Sequence, residues 1–276
     1  MISSKTILIT GCSTGIGYST AITLKNRGHN VIATARKSSD VIRLKQEGFT
    51  TLHLDLADSN SIQIAVKQAI VLTEGKIDAL FNNGAFGQAG AVEDLSRDTL
   101  RSQFETNLFG THELTNLVLQ LMRKQGHGRI IYNSSVLGLV AMPYRGAYTA
   151  SKFALEGLAD TLRQELYDIP IYISLIEPGP IISDFRKNSY LLYQQNIDYK
   201  NSAHKPAYDK LVKRLQKEGA AVAFTLPAAA VVSKVIHALE ANRPKTRYYV
   251  TFPTYLFAIL KYLLPTSWLD ALIRKV

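Results

Sequence analysis

The stretch "TGCSTGIG" (10–17) follows the apolar run "KTILIT" (5–10) and opens a segment of helical periodicity. A strand that ends in a glycine-rich turn and feeds a helix is the placement a phosphate-cradling loop requires. Each glycine has its own use. Gly11 allows a tight turn, Gly15 lets backbone approach a pyrophosphate, and Gly17 lets helix and strand pack closely. The helix start adds free N–H groups and a partial positive charge for an anion. Ser13, Thr14 and Ile16 complete the candidate loop. A small-residue loop with no ligand would share the glycines, but its position at a strand–helix junction favours the binding reading. Three residues separate Gly11 from Gly15, a wider first gap than the general dinucleotide fingerprint has.

Outward from this loop, runs of β-formers alternate with longer helical stretches. The strand candidates are 6–10, 30–35, 51–55, 78–82, 129–133, 171–176 and 247–252. Most are continuous apolar runs, as expected where both faces of a parallel sheet are covered. The clearest helical segments are 16–27, 59–73, 99–124, 148–167 and 227–241. The alternation predicts an α/β fold: a doubly wound, Rossmann-type, seven-stranded parallel sheet with helices on both faces, 1–276 forming a single domain. Residues 184–226 break the rhythm with no strand signal and many tyrosines and charges. So long a connection before the seventh strand is expected to act as a substrate lid.

The formal charge is +10, yet no zinc-finger spacing, ribonucleoprotein-type aromatic motif or dense basic run accompanies it. A solvated basic surface is therefore expected, and no nucleic-acid partner. The single cysteine, Cys12, excludes an intrachain disulfide and suits a reducing, cytoplasmic setting. The strand-like start leaves no room for a cleavable leader. The nearest approach to a membrane span, "YLFAILKYLL" (255–264), is too short and contains Lys261. The histidines are scattered without ligand spacing, so no catalytic metal is expected.

"AYTASKFALEG" (147–157) sets Tyr148 and Lys152 four positions apart in a helical segment. Such positions stack on one face, so phenol and ammonium can meet. Alone, the pair could equally end an amphipathic face. With the glycine loop it becomes specific. Gly11-x-x-x-Gly15-Ile16-Gly17 followed by Tyr148-x-x-x-Lys152 resembles the short-chain dehydrogenase/reductase family, and within it the single-domain branch that includes hydroxysteroid and retinol dehydrogenases. The likeness covers roughly the first 180 residues well.

The resemblance implies a catalytic asparagine at Asn107 in "TNLFGTHEL" and a catalytic serine at Ser135 in "YNSSVLG". Ser135 lies thirteen positions before Tyr148 and is preferred to Ser134 for that spacing. It also implies that Pro178, Gly179 and Ile181 touch the nicotinamide end, with Ser183 standing where a threonine is usual. Asn83 and Gly84 would lie by the adenosine ribose. There the family reads Asn-Asn-Ala-Gly, whereas this chain reads Asn82-Asn83-Gly84-Ala85. If the family glycine needs a positive φ, Ala85 carries a strain of about 1 kcal/mol or more.

An acid at the end of the second strand holds a ribose 2′-hydroxyl, and an arginine there attracts a 2′-phosphate. This chain has Arg36 and Lys37 and no acid before Asp40, which favours NADP(H) over NAD(H). Asp55 resembles the residue that accepts from the adenine amine.

Hydride transfer to a carbonyl leaves an alkoxide that must be protonated. A free tyrosine, with a pKa near 10, sits about three units, or roughly 4 kcal/mol, too high for easy exchange at neutral pH. A lysine ammonium at about 4 Å and an effective dielectric of about 20 supplies energy of that order. Lys152 is thus expected to lower Tyr148, with Ser135 donating to the substrate oxygen. The resemblance implies that Asn107 holds a relay water for Lys152.

The apolar 135–146 stretch and the aromatics of 184–226 suggest a hydrophobic carbonyl or alcohol substrate. Those aromatics could instead simply pack the insertion on the sheet. The helical segment 254–276 either closes the pocket, the preferred reading, or lies on a membrane surface through Lys261, Arg274 and Lys275. The resemblance implies a homodimer or homotetramer built on helices 99–124 and 148–167. Two alternatives compete: a non-catalytic NADP-sensing protein on the same fold, and a sugar-nucleotide epimerase or dehydratase. The intact Tyr, Lys and Ser argue against the first, and the glycine spacing and length against the second.

Overall fold

The computed structural model describes residues 3–275. Its strands are β1 (Thr6–Ile9), β2 (Asn30–Ala35), β3 (Thr50–His53), β4 (Ala79–Asn82), β5 (Gly128–Asn133), β6 (Ile171–Glu177) and β7 (Arg247–Tyr249). All pair in parallel, in the order β3-β2-β1-β4-β5-β6-β7. Ile7 pairs with Val31 on one side and Ala79 on the other, so β1 and β4 form the centre of the sheet.

The helices are α1 (Gly15–Asn26), α2 (Ser38–Gln46), α3 (Ser59–Leu72), α4 (Arg97–Phe104), α5 (Thr111–Gln125) and α6 (Gly146–Glu165). They continue with α7 (Phe185–Asn196), α8 (Lys205–Gln216), α9 (Ala229–Glu240), α10 (Phe252–Leu263) and α11 (Thr266–Ile273). Local signals set several ends. Asp58 accepts from the Asn60 N–H at the start of α3, and Ser96 from the Thr99 N–H at the start of α4. Gly126, at φ 77°, closes α5 in the left-handed conformation.

Successive strand side chains point to opposite faces. Leu8, Ile32, Leu80 and Ile130 pack with α3, α5 and α6, while Ile7, Ile9, Val31 and Phe81 pack with α1, α2 and α9. Two apolar layers therefore sandwich the sheet, which is why its strands read as unbroken hydrophobic runs.

The structure corrects the sequence reading in four places. Helix 99–124 is two helices, α4 and α5, joined by a π-helical turn over Glu105–Gly110. Strand 247–252 ends at Tyr249, because Phe252 starts α10 with Pro253 in its first turn. Strand 51–55 ends at His53, which leaves Asp55 beyond it. Helix α2 had no clear signal, since it buries only Val41 and Leu44.

Residues 184–226 fold largely into α7 and α8. Tyr193, Tyr208, Leu211 and Leu215 form a small core of their own with Ala89 and Ala91. Helices α10 and α11 cover the loop after β5, where Phe257 and Ile273 meet Val136, Leu137 and Val140. Among the described residues, no helix is long and apolar enough to cross a membrane.

The strand order runs outward in opposite directions from β1 and β4. In such sheets ligands bind in the crevice beyond the carboxyl ends of the strands at this switch point. The glycine loop follows β1, and Asn83 and Gly84 follow β4, so both lie at that crevice.

Candidate active site

The glycine loop turns on two left-handed residues, Gly11 at φ 69° and Gly15 at φ 60°. Gly17 works by close approach instead. A Cβ there would collide with the Gly11 carbonyl and the Asn83 amide. Thr14 caps α1 without any side-chain hydrogen bond, so the first N–H groups of the helix face the crevice without an internal partner. Arg43 of α2 braces the loop, its Nη2 donating to the Ser13 carbonyl at 2.6 Å. A glycine cradle with free N–H donors fits the pyrophosphate of a dinucleotide.

β4 supplies the opposite wall. Asn83 donates through Nδ2 to the Thr10 carbonyl at 2.9 Å, and its Oδ1 accepts from Asn133 Nδ2 at 3.0 Å. Thr10 Oγ1 accepts from the N–H groups of Asn83 and Gly84 at 2.8 and 2.7 Å. Gly84 packs so closely that an added Cβ would stand 3.1 Å from Leu56 and 3.2 Å from Thr10. Ala85 is not among the non-glycine residues with positive φ. The strain conditionally expected at Ala85 is therefore absent, and the exchange of Gly and Ala places the smaller residue at the tighter position.

Helix α6 presents Tyr148, Lys152, Glu156 and Asp160 at i, i+4 spacing along one stripe. Tyr144, just before it, is held at φ 62°, a strained conformation for a tyrosine. Packing against His204 and Tyr208 holds it there, and the chain turns sharply into α6. Lys152 is buried and donates to the Asn133 carbonyl at 2.7 Å. Its Nζ stands 5.6 Å from the centroid of the Tyr148 ring. Phe185 of α7 packs edge-on against the same ring, at 5.2 Å between centroids.

The expected lowering of Tyr148 is not what this environment produces. Its edge opens to the cleft, but burial of the hydroxyl pushes the phenol up to about 12, against a downward pull from the Ser135 hydroxyl. Lys152 is itself desolvated and brought down to about 8, with Glu156 pulling it back up. Burial is the larger influence on each, because both groups lie in the same poorly solvated wall.

Asn107 lies in the π-helical turn, buried behind the crevice. Its Oδ1 accepts from the Phe86 N–H at 3.2 Å, and its Nδ2 donates to the Phe86 carbonyl at 2.9 Å and Ser151 Oγ at 3.2 Å. These bonds occupy the side chain, so it fixes the loop after β4 against α6. π-Turns within helices recur at functional sites. Ser135 starts the turn after β5, and its Oγ accepts from the Leu137 N–H at 3.1 Å.

A carboxylate cluster beneath the site was not anticipated. Arg247 contacts Glu156 and Asp160, each at 2.5 Å, and also Glu177. Glu177 is fully buried. That burial, and then the neighbouring Glu156, raise its carboxyl to about 8 against the pull of Arg247. The i, i+4 stripe of α6 was the legible half of this cluster. Glu177 and Arg247 come from distant strands and carry no local signal.

One cleft of about 750 Å³ gathers most of the expected residues: Gly11, Ser13, Thr14, Gly15, Ile16, Asn83, Gly84, Ser135, Tyr148, Lys152, Pro178, Gly179, Ile181 and Ser183. Gly17, Arg36, Asp55 and Asn107 do not line it. Gly17 and Asn107 support its walls from behind. Arg36 is exposed at the end of β2, and Asp55 accepts from the Ala57 N–H at 2.9 Å. Helices α7, α8 and α10 complete the cleft, with Phe185, Leu211 and Phe257 among the lining residues.

The sequence pattern of the family described as "short chain dehydrogenase" matches residues 5–191. The chain is 41% identical over 273 residues to a protein of Escherichia coli K12 described as the uncharacterized oxidoreductase YbbO, covering 99% of this chain and 95% of that one. It is 32% identical to human 17-beta-hydroxysteroid dehydrogenase type 1, over 89% of this chain and 77% of that one. A crystal structure of a short-chain dehydrogenase from Streptomyces avermitilis superposes with a TM-score of 0.75 at 24% identity, covering 99% of this chain and 94% of that one. With its switch-point crevice, its glycine cradle and a matching sequence pattern, the chain belongs to the short-chain dehydrogenase family of oxidoreductases.

Proposed function

We propose that the protein is an NADP(H)-dependent reductase of hydrophobic carbonyl compounds, with Tyr148 as the acid. The observation that carries this reading is the convergence of Ser135, Tyr148 and Lys152 with the glycine loop on a single, largely apolar cleft. When bound, the nicotinamide supplies the hydride. Tyr148 lines the cleft and would give its proton to the carbonyl oxygen as the hydride arrives. Ser135 donates to the same oxygen and orients it. Lys152 holds the Asn133 carbonyl and sets the α6 stripe against β5.

Residues 11–17 would hold the pyrophosphate, Asn83 and Gly84 the ribose, Asp55 the adenine, and Pro178, Gly179, Ile181 and Ser183 the nicotinamide end. Arg36 would face the 2′-phosphate, and its exposed guanidinium has no ion-pair partner among the described residues. Helices α7 and α8 would act as the lid. The half-exposed Phe109, Phe153 and Leu158 support a homodimer or homotetramer, which light scattering would count. The test is a panel of aldehydes, ketones and alcohols followed at the nicotinamide absorbance, with NADPH and NADH in parallel. NADPH oxidation on apolar carbonyls supports the reading, and no turnover across the panel refutes it.

The exposed side chains of the C-terminal segment support a second, less favoured reading. Ile259, Tyr262, Leu263 and Trp268 are exposed beside Arg274 and Lys275. Phe252 and Leu256 line the cleft, so closure remains the main role, with contact at an anionic lipid surface as an addition. Flotation with anionic liposomes at low salt checks it, and no binding removes the lipid contact.

A further inference from the structure

Helix α8 carries four cations, and three of them, Lys205, Lys210 and Lys213, are exposed. Arg214 is the exception. Helical spacing places it beside Leu211 and Leu215, which are buried in the small core under α7, and all three line the cleft. A cation on the inner face of a helix ordinarily has an anion to meet. Among the described residues, the Arg214 side chain has neither a carboxylate nor a hydrogen-bond partner. Its backbone is pinned from the preceding helix, α7, since Arg186 donates to the carbonyls of Arg214 and Lys217 at 3.2 and 2.7 Å. The turn that carries Arg214 at the cleft wall is therefore fixed to α7. Burial lowers its pKa, in keeping with a desolvated and unpaired cation.

Arg145 repeats the pattern in the same cleft lining. It lies three residues before Tyr148, and among the described residues its side chain bonds only Met142 Sδ, at 2.8 Å, a weak acceptor. The charged side chains lining the cleft are Arg145, Lys152, Arg186 and Arg214 against the single carboxylate of Asp184. Lys152 and Arg186 are spent on backbone carbonyls. Arg145 and Arg214 remain for a ligand.

We propose that the cleft takes an amphiphilic carbonyl compound whose apolar chain ends in an anionic group, a carboxylate or a phosphate, bound by Arg214 with Arg145 as the second cation. This rests on the carbonyl-reductase reading and narrows its substrate class from hydrophobic to anionic-headed. Guanidinium recognises such oxygen pairs through two parallel N–H donors, which a lysine cannot reproduce.

The test compares decanal with 10-oxodecanoate at saturating NADPH, in the wild-type protein and in Arg214→Gln, Arg214→Lys and Arg145→Gln. The wild type should favour 10-oxodecanoate in kcat/KM by about tenfold or more, a preference that shrinks as salt is raised. Arg214→Gln should lose most of that preference through KM, with Arg214→Lys restoring part of it. Calorimetric titration with decanoate and decanol reads the same discrimination without turnover. Equal handling of the two aldehydes and weak decanoate binding by the wild type would overturn the proposal. So would a loss in Arg214→Gln that falls on NADPH affinity instead, because the anion would then be the cofactor's phosphate. No turnover of either aldehyde, with decanoate still bound through Arg214, would instead refute the reductase reading alone.

Discussion

The crevice at the ends of β1 and β4 and the wall made by α7, α8 and α10 meet in one cleft, but they are built differently. The first is made of backbone. Its shape depends on Gly11 and Gly15 in left-handed conformations and on Gly17 against the Gly11 carbonyl, where side chains have no room. The second is made of side chains on helices, where Phe185, Leu211, Arg214 and Phe257 could be exchanged without moving a strand. A backbone-built site tolerates little change and repeats from protein to protein. A side-chain-built wall can be re-lined for a different ligand. The difference separates what the fold dictates, an anion cradle, from what this chain has added, an apolar cleft with two unpaired guanidiniums.

The contrast can be broken most directly at Gly17. Replacement by Ala forces a Cβ into the Gly11 carbonyl and the Asn83 amide. The expected result is loss of measurable NADPH binding and a stability cost of about 1–3 kcal/mol, read by fluorescence titration and thermal melting. Retained affinity would mean that the loop is softer than a backbone-built cradle should be. A smaller effect is expected at Arg36. Arg36→Ser should weaken NADPH by about 10- to 100-fold and leave NADH nearly unchanged, measured as the ratio of the two kcat/KM values.

The smallest effect concerns the carboxylates beneath the site. Glu177 is at about 8 in the fold, against an ordinary value of 4.5. A raised carboxyl binds more protons folded than unfolded, so its contribution is fully present below the ordinary value and is lost as pH rises through about 8. Glu177→Gln stays neutral throughout. Relative to the wild type, it should therefore gain melting temperature from pH 5 to pH 8, by about 2–4 °C for each kcal/mol recovered. An unchanged difference would show that Arg247 already neutralises the pair.

The same division governs what could be read from the amino acids. The cradle and the central strands were legible because each position is held by local geometry: glycines at a strand–helix junction, continuous β-formers, a Tyr and a Lys one turn apart. Helix α2 was missed because it is short and polar, with two buried side chains. The π-helical turn at Asn107 has no residue signature, since it depends on the fit of α4 and α5 against the loop after β4. Arg247 meets Glu156 and Glu177 from 91 and 70 positions away, a distance no local pattern spans. The burial of Tyr148 has the same origin. The spacing to Lys152 was readable, but the burial that raises the phenol and lowers the lysine arises from the whole wall around the pair.

The central proposal is that the Tyr148 hydroxyl delivers the proton during carbonyl reduction. Single-turnover NADPH oxidation by Tyr148→Phe, alongside its NADPH dissociation constant, tests this directly. The expected result is a rate lower by about 100-fold or more with cofactor affinity unchanged. A rate near that of the wild type, on a carbonyl that the wild type reduces, would contradict it.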